Sequence, residues 1–156
     1  MLALAVALFV TLAQLPLAQL PAGPKHLTAV PSVGGNPASA GSKVSLFVDV
    51  TPDRGIHVYA PGAKDYLPIS VKLEPGRGVT AAPLKYPKSQ TLVFEGEKIP
   101  VYDKPFRLVQ DVTLDRSVKP GETIAVTATL HYQACTEKIC YIPATAPLRW
   151  TVTVSK

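Results

Sequence analysis

Residues 123–143 read TIAVTATLHYQACTEKICYIP and contain both cysteines of the chain. Apolar side chains occupy every second position from Ile124 to Tyr132, which is the period of a strand with one buried face. Cys135 and Cys140 follow, and on one helix or one straight strand side chains at this separation point in different directions. A hairpin with residues 136–139 as its loop would instead bring the two sulfurs face to face. The stretch therefore predicts a strand that leads into a hairpin carrying a dithiol or a disulfide.

The remainder of the chain repeats the pattern of short apolar runs and turns. Of its 156 residues 16 are proline, and no stretch of ten shows a convincing helical period, which disfavours a thioredoxin-type α/β domain. The sequence predicts an all-β fold, an immunoglobulin-like antiparallel β-sandwich with seven to nine strands. The predicted strands are 43–50, 56–60, 69–73, 84–86, 91–94, 106–114, 123–132 and 148–154.

Three segments divide the chain. Residues 1–20 are uncharged, and their apolar stretch has the length of a secretory h-region, so we expect a signal peptide or, if it is not cleaved, a membrane anchor. Residues 21–42 are rich in Pro, Gly, Ala and Ser and predict a linker. Residues 43–156 are expected to form the β domain. Export would place the cysteines where they can oxidise.

Charge and ligand patterns disfavour two classes of function. The net charge of +5 is spread over single Lys and Arg residues without a basic block, so we expect no nucleic-acid partner. His131, Cys135 and Cys140 could supply three metal ligands, but a closed zinc site needs a fourth, and His26 and His57 lie in unrelated segments. We therefore expect no metal and no other cofactor.

Two roles for the cysteine pair remain open from the residues alone. A structural disulfide closing so small a ring adds only about 2 kcal/mol, and a domain of this size can build a core without it. A redox pair could instead exchange with a partner through a mixed disulfide. Lys138 would stabilise a thiolate, and Glu137 offsets part of this effect. His131, at about 13 Å from Cys135 on a straight strand, is expected to be too distant to act as a base.

Several short motifs occur along the chain in an order that is typical of one protein family. Tyr-Gln-Ala-Cys at 132–135 is followed by Cys-Tyr-Ile-Pro at 140–143. Gly-Ile-His-Val-Tyr-Ala-Pro-Gly at 55–62 precedes Leu-Pro-Ile-Ser-Val at 67–71, and Phe-Glu-Gly at 94–96 precedes Val-Tyr at 101–102. Over residues 43–154 the sequence resembles the amino-terminal periplasmic domain of the thiol:disulfide interchange protein family DsbD.

This resemblance implies an immunoglobulin-like domain whose two cysteines carry reducing equivalents. The cysteine that matches Cys140 forms mixed disulfides, and the one that matches Cys135 resolves them. Phe94 matches an aromatic residue in a loop that caps the pair, Tyr59 matches an aromatic residue that lines the site, and His57 stands where an aromatic residue can occur.

Further residues are expected near the cysteine pair, and the sequence leaves their roles open. Tyr132 and Tyr141 flank it, and either face the partner or pack across strands. Leu92 and Val93 stand where the best-known member of the family has acidic residues, and that member has one more residue between its cysteines. Cap and partner preference are therefore expected to differ from that member.

The resemblance also implies partners. In the family, electrons pass from a thioredoxin-like domain to this domain and on to periplasmic thiol-disulfide proteins and cytochrome c maturation factors. Neither a multi-helix membrane domain nor a C-x-x-C motif is present in this sequence. We therefore expect a thioredoxin-like or membrane electron donor in a separate chain, with a split system or a fragment of a longer DsbD-like protein as the alternatives. We expect a periplasmic monomer, of protein-disulfide reductase type, that meets the membrane only through an uncleaved leader. The alternative is a non-catalytic immunoglobulin-like binding domain with a structural hairpin disulfide.

Overall fold

The computed structural model describes residues 24–35, 38–76 and 78–155. In these ranges the chain forms eleven β-strands and no helix. The strands are β1 Leu27–Val33, β2 Lys43–Pro52, β3 His57–Tyr59, β4 Ser70–Leu73, β5 Val79–Ala81, β6 Gln90–Phe94, β7 Glu97–Tyr102, β8 Phe106–Leu114, β9 Thr123–Tyr132, β10 Ala134–Cys135 and β11 Ala144–Thr153.

The strands pair antiparallel in three sheets. One sheet has the order β1-β2-β8-β5, the second β11-β9-β4, and the third β10-β3-β7-β6. The expected fold class, an all-β antiparallel sandwich of immunoglobulin type, is confirmed. The third sheet carries the cysteine pair, and its longest strand has six residues, whereas each of the other two sheets contains two strands of nine or ten residues.

Most of the core lies between the first two sheets, and Val58, Tyr102 and Ala134 of the third sheet contribute to it. Side chains at alternate positions of β2, β9 and β11 are buried, because the pleat points every second residue to the same face. Trp150 of β11 is fully buried, and its indole N–H donates a hydrogen bond of 2.9 Å to the carbonyl of Phe47 in β2. This bond joins the two sheets across the sandwich and gives the polar atom of the buried ring a partner.

The expected linker at 21–42 is wrong for residues 27–33. These residues form β1, which pairs with β2 from Leu27 opposite Pro52 to Val33 opposite Leu46. An edge strand has one hydrogen-bonding side free, so it tolerates Pro31, which cannot donate to a ladder. Only the first side chain of β1 is fully buried, which explains why the segment lacks a clear alternating pattern.

The strand count is also higher than the expected seven to nine. Besides β1, the sequence did not predict β5, β7 or β10. Pro100 interrupts the apolar run of β7, and β5 and β10 are too short to show a period. The expected strand at 84–86 is reduced to a single bridge between Lys85 and Val109.

The expected signal peptide or anchor at 1–20 lies outside the described residues. Within the part of the chain that the structure describes, no helix is long and apolar enough to cross a membrane.

Candidate functional site

Cys135 and Cys140 form a disulfide across the neck of a hairpin. Their Cα atoms are 4.0 Å apart, and the two residues form an isolated antiparallel bridge. The loop at 136–139 is closed by the Thr136 N–H, which donates to the Ile139 carbonyl at 2.8 Å. The Thr136 hydroxyl oxygen accepts hydrogen bonds from the backbone N–H groups of Lys138 and Ile139, at 3.2 and 3.0 Å. The hairpin predicted from the cysteine spacing is confirmed.

The two cysteines differ in exposure. Cys135 belongs to β10 and is 1 % exposed, whereas Cys140 lies beyond the loop and is exposed. Cys140 is therefore the cysteine of the pair that presents surface to another protein, whereas Cys135 does not. If it attacks Cys140, the Cys135 sulfur is the leaving group inside the protein.

Tyr59 connects the hairpin to β3. Its hydroxyl lies 3.2 Å from the Cys140 sulfur, and its ring stacks on Tyr66 with centroids 4.1 Å apart. Burial raises the pKa of Tyr59, and the neighbouring Tyr66 raises it further. The hydroxyl therefore stays protonated at neutral pH and can donate a hydrogen bond to a thiolate on Cys140.

His57 lies directly opposite Cys135 in the β3–β10 ladder. Its side chain is 7 % exposed, and its Nε2 atom is buried without a hydrogen-bond partner. Burial lowers the pKa of His57, while the negative charges of Asp103 and Glu137 act in the opposite direction. The imidazole is therefore expected to be neutral at neutral pH.

A cavity of about 390 Å³ opens beside the disulfide, and we call it the Cys140 cavity. One side is formed by the rings on β3 and the segment after it, and the other by the tip of the β6–β7 hairpin and the cysteine loop. Its lining includes His57, Tyr59, Tyr66, Phe94, Lys138 and Cys140. Val93, Phe94 and Ile139 are large apolar side chains exposed at this end of the domain. The sulfur is therefore surrounded by an apolar surface that a partner protein could cover.

Phe94 is placed by the turn that joins β6 to β7. Phe94 pairs with Glu97, and the two residues between them, Glu95 and Gly96, have φ angles of 49° and 83°. Two consecutive residues with positive φ are typical of a type I′ hairpin turn. The Phe94 side chain lines the Cys140 cavity and is 48 % exposed. Its role as a cap stays a prediction.

The other two aromatic residues near the pair lie elsewhere. Tyr132 is fully buried; its hydroxyl donates to the Lys25 carbonyl at 2.9 Å and accepts from the Lys25 N–H at 2.8 Å. Tyr141 stacks on His26 with ring centroids 3.8 Å apart. Both line a separate cavity of about 360 Å³. Neither ring lines the Cys140 cavity, and Tyr132 packs in the core.

His131 and the cysteines were considered as metal ligands, and the structure gives their positions. His131 lies in β9, opposite Ser70 and Thr145. β9 belongs to the second sheet, whereas the cysteine pair is carried by the third. Over the described ranges, no group of three or more His, Cys, Asp or Glu side chains is arranged to hold a metal. Both cysteine sulfurs are bonded to each other.

Tyr66 was missed by the sequence reasoning. It lies in the loop after β3, and the bridge between Tyr59 and Pro68 returns this loop to the strand. A tyrosine in a loop carries no periodic signal, so only the tertiary path of residues 61–68 brings it against Tyr59.

Comparisons with known proteins identify a family for the chain. A family model described as the N-terminal region of the thiol:disulfide interchange protein DsbD matches residues 26–149. Comparison with curated protein sequences finds no match. The solved N-terminal periplasmic domain of ScsB from Proteus mirabilis is similar with a TM-score of 0.49 and 13 % identity, covering 83 % of this chain and 44 % of that one. This chain thus spans less than half of the ScsB chain.

A second solved structure is the reduced N-terminal domain of DsbD from Neisseria meningitidis. It is similar with a TM-score of 0.43 and 18 % identity, over 81 % of this chain and 90 % of that one. The family assignment rests on the family model, which covers most of the described residues. The chain therefore belongs to the family of DsbD N-terminal domains.

Proposed function

We propose that this domain is an extracytoplasmic thiol–disulfide exchange module that passes reducing equivalents through Cys135 and Cys140 to partner proteins. The observation that carries the proposal is the asymmetry of the pair, with an exposed Cys140 joined to a buried Cys135 beside an apolar cavity. Membership in the DsbD N-terminal family supports thiol–disulfide exchange in general.

The difference in exposure determines how a donor reduces the disulfide. A donor thiolate attacks the Cys140 sulfur, the Cys135–Cys140 bond breaks, and its electron pair moves to the Cys135 sulfur, which takes up a proton. A second thiol of the donor then attacks the mixed disulfide and releases Cys140 as a thiolate. The donor is oxidised to a disulfide and the domain is reduced to a dithiol.

Delivery runs the same steps in the other direction. The Cys140 thiolate attacks an acceptor disulfide, and Cys135 then attacks the Cys140 sulfur of the mixed disulfide and releases the reduced acceptor. Cys140 is thus the attacking cysteine and Cys135 the resolving one. Lys138, exposed in the loop, adds a positive charge near the thiolate.

The proposed setting is the periplasm, with a thioredoxin-like or membrane protein as the electron donor. The acceptors are periplasmic thiol-disulfide proteins, and the domain acts as a monomer. Phe94 is proposed to shield the pair until a partner displaces the β6–β7 hairpin, which its position in the Cys140 cavity supports.

The test uses single-cysteine variants and a thioredoxin with one active-site cysteine that is activated as a mixed disulfide with thionitrobenzoate. Cys135→Ser leaves the accessible cysteine, so we expect a one-to-one covalent complex that dithiothreitol cleaves. Cys140→Ser leaves the buried cysteine, so its complex should form at least about tenfold more slowly. Equal rates of complex formation in both variants, or no complex from either, would contradict the proposal.

The reduction potential separates exchange from the structural alternative. A potential below about −300 mV, together with no complex, indicates a structural disulfide in a non-catalytic binding domain. We expect a higher potential, within the range in which thioredoxin-like proteins can reduce the pair.

A further inference from the structure

The neighbourhood of the buried cysteine contains one polar group without a partner. His57 and Cys135 are a directly opposed pair in the ladder, so their side chains lie on the same face of the third sheet. Directly opposed residues in an antiparallel ladder have Cβ atoms about 4.5–5.5 Å apart. The ring of His57 is thus a close neighbour of the sulfur that leaves when the disulfide opens.

The Nε2 atom of His57 has no hydrogen-bond partner in the disulfide form, although it is buried. A buried polar nitrogen without a partner destabilises the folded state. In the disulfide, the Cys135 sulfur has no proton to give. When the disulfide opens, Cys135 becomes a thiol or a thiolate, and either form can pair with an imidazole nitrogen.

We propose that His57 transfers a proton to and from the Cys135 sulfur as the disulfide opens and closes, an inference that rests on the proposed exchange function. A buried thiolate is costly, so the Cys135 sulfur needs a nearby proton source when it leaves and a nearby base when it attacks. His57 is the residue paired with it across the ladder.

The resolving step makes the role explicit. The Cys135 thiol gives its proton to His57 Nε2, and the resulting thiolate attacks the Cys140 sulfur of the mixed disulfide. The bond between Cys140 and the partner sulfur breaks, and its electron pair leaves on the partner sulfur. That sulfur takes a proton from the imidazolium or from water, and His57 returns to its neutral form. Over the attack by Cys140 and this resolving step together, the domain loses two electrons and the partner gains them.

Charged and titratable groups face His57 from each neighbouring element. Asp103 after β7 and Glu137 in the cysteine loop border a cavity of about 230 Å³ that His57 also lines. Tyr59 on the same strand packs edge-on against the imidazole, with centroids 5.5 Å apart. Burial lowers the pKa of His57 despite the two carboxylates, so the neutral base persists below the ordinary value of about 6.5.

The test measures the rate at which the mixed disulfide on Cys140 is resolved, separately from the rate at which it forms. Fully reduced protein is mixed with glutathione disulfide and quenched in acid, and intact mass spectrometry follows the glutathione adduct on Cys140 as it forms and decays. In the wild type, the decay rate should be nearly independent of pH between about 6.5 and 8, because a neutral imidazole takes the proton. In His57→Phe, which keeps a buried ring, decay should be at least about tenfold slower at pH 7 and should rise with hydroxide concentration.

Two controls keep the result interpretable. His131→Phe makes the same change in the second sheet and should leave both the decay rate and its pH profile unchanged. His57→Gln keeps hydrogen bonding without titration, and it should reproduce the hydroxide dependence if the phenylalanine variant does not fold.

The outcomes separate the two proposals. If the adduct forms and His57→Phe and His57→Gln both resolve it at the wild-type rate with a flat pH profile, the role of His57 is refuted while exchange stands. If wild-type protein forms neither the adduct nor the Cys135–Cys140 disulfide, the exchange function fails and this inference fails with it.

Discussion

At the scale of single residues, the Tyr59 hydroxyl is expected to influence the reactivity of the exposed Cys140. The Tyr59 hydroxyl is 3.2 Å from the Cys140 sulfur and stays protonated at neutral pH because burial raises the pKa of Tyr59. A hydrogen bond to a charged group contributes about 1.5–3 kcal/mol. Tyr59 should therefore stabilise the Cys140 thiolate in the reduced domain.

We expect Tyr59→Phe to slow the reaction of reduced Cys140 with iodoacetamide at pH 7 by about threefold. Loss of about 1.4 kcal/mol lowers the thiolate fraction about tenfold, and the higher intrinsic nucleophilicity of a more basic thiolate restores about threefold of this. The rate is measured by mass spectrometry of the alkylated protein. Tyr86→Phe, which removes a half-buried hydroxyl far from the cavity lining, is the matched control and should not change the rate. An unchanged rate in Tyr59→Phe would mean that the hydroxyl does not act on the thiolate.

The residues also show where sequence reasoning succeeds and fails at this scale. The hairpin was predictable because five positions of separation leave almost no other geometry for a disulfide. The exposure of Cys140 and the burial of Cys135 were not predictable from spacing, since they depend on which strand β10 joins. The contact of Tyr66 with Tyr59 was not predictable either, because a loop of several residues joins them.

At the scale of elements, the β6–β7 hairpin places an aromatic ring at the mouth of the Cys140 cavity. β6 is the edge strand of the third sheet, so the hairpin is attached to the rest of the sheet only through β7. An edge hairpin with an exposed tip can shift without opening the core. This is the property that a displaceable cap requires.

We expect Phe94→Ala to accelerate reduction of the disulfide by 2-mercaptoethanol by a few-fold, because removal of the ring opens access to the Cys140 sulfur. The free energy of unfolding should change by less than about 1 kcal/mol, since the side chain is nearly half exposed. Reduction is followed by thiol titration with time. The neighbouring Val93→Ala, also at an exposed position of the tip, is the control and should have a smaller effect. Equal rates in Phe94→Ala and the wild type would rule out a cap.

A second element-scale feature ties β8 to its neighbours. Asp111 of β8 is buried and accepts hydrogen bonds of 2.7 Å from the Ser45 hydroxyl of β2 and from the Lys85 ammonium group. The hydrogen bond from Lys85, followed by that from Ser45, lowers the pKa of the Asp111 carboxyl. The folded state therefore favours the charged carboxylate relative to the unfolded chain.

We expect Asp111→Asn to lower the free energy of unfolding by about 1–3 kcal/mol at pH 7, with a smaller difference from the wild type at pH 3. A lowered folded pKa gives stability that is present above the unfolded value of about 3.9 and is lost as pH falls through the folded value. Urea unfolding followed by Trp150 fluorescence at the two pH values measures this. Asp49→Asn removes the exposed pair with Arg107 and should cost less at pH 7. A pH-independent difference for Asp111→Asn would contradict the role of its charge.

The long strands were predictable because their alternation spans most of ten residues, as in β2 and β9. β3 and β10 have only three and two residues, and tertiary pairing rather than propensity determines them. The pairing of strands in the third sheet, which carries the site, could therefore not be predicted from the sequence, although several of the site residues could.

At the scale of the whole molecule, the buried cysteine packs apart from the main core. The main core is built mostly from the first two sheets around Trp150, whereas Cys135 packs in a small separate cluster with Tyr59, Ile99 and Val101. Stability and redox chemistry should thus respond to different residues. We expect this separation to let the disulfide open and close while the domain stays folded.

We expect Cys135→Ala with Cys140→Ala to lower the free energy of unfolding by no more than about 2 kcal/mol, because the disulfide closes a very short ring. Trp150→Phe should cost a comparable or larger amount, about 1–3 kcal/mol, since it leaves a void and removes the bond to the Phe47 carbonyl. The same Trp150→Phe variant should keep the wild-type reduction potential, measured by equilibration with dithiothreitol, because its indole lies in the other core. Urea unfolding followed by far-ultraviolet circular dichroism gives both stabilities. Complete unfolding of the cysteine double variant at 25 °C would mean that the disulfide supports the whole sandwich, and a shifted potential in Trp150→Phe would mean that core and site are coupled.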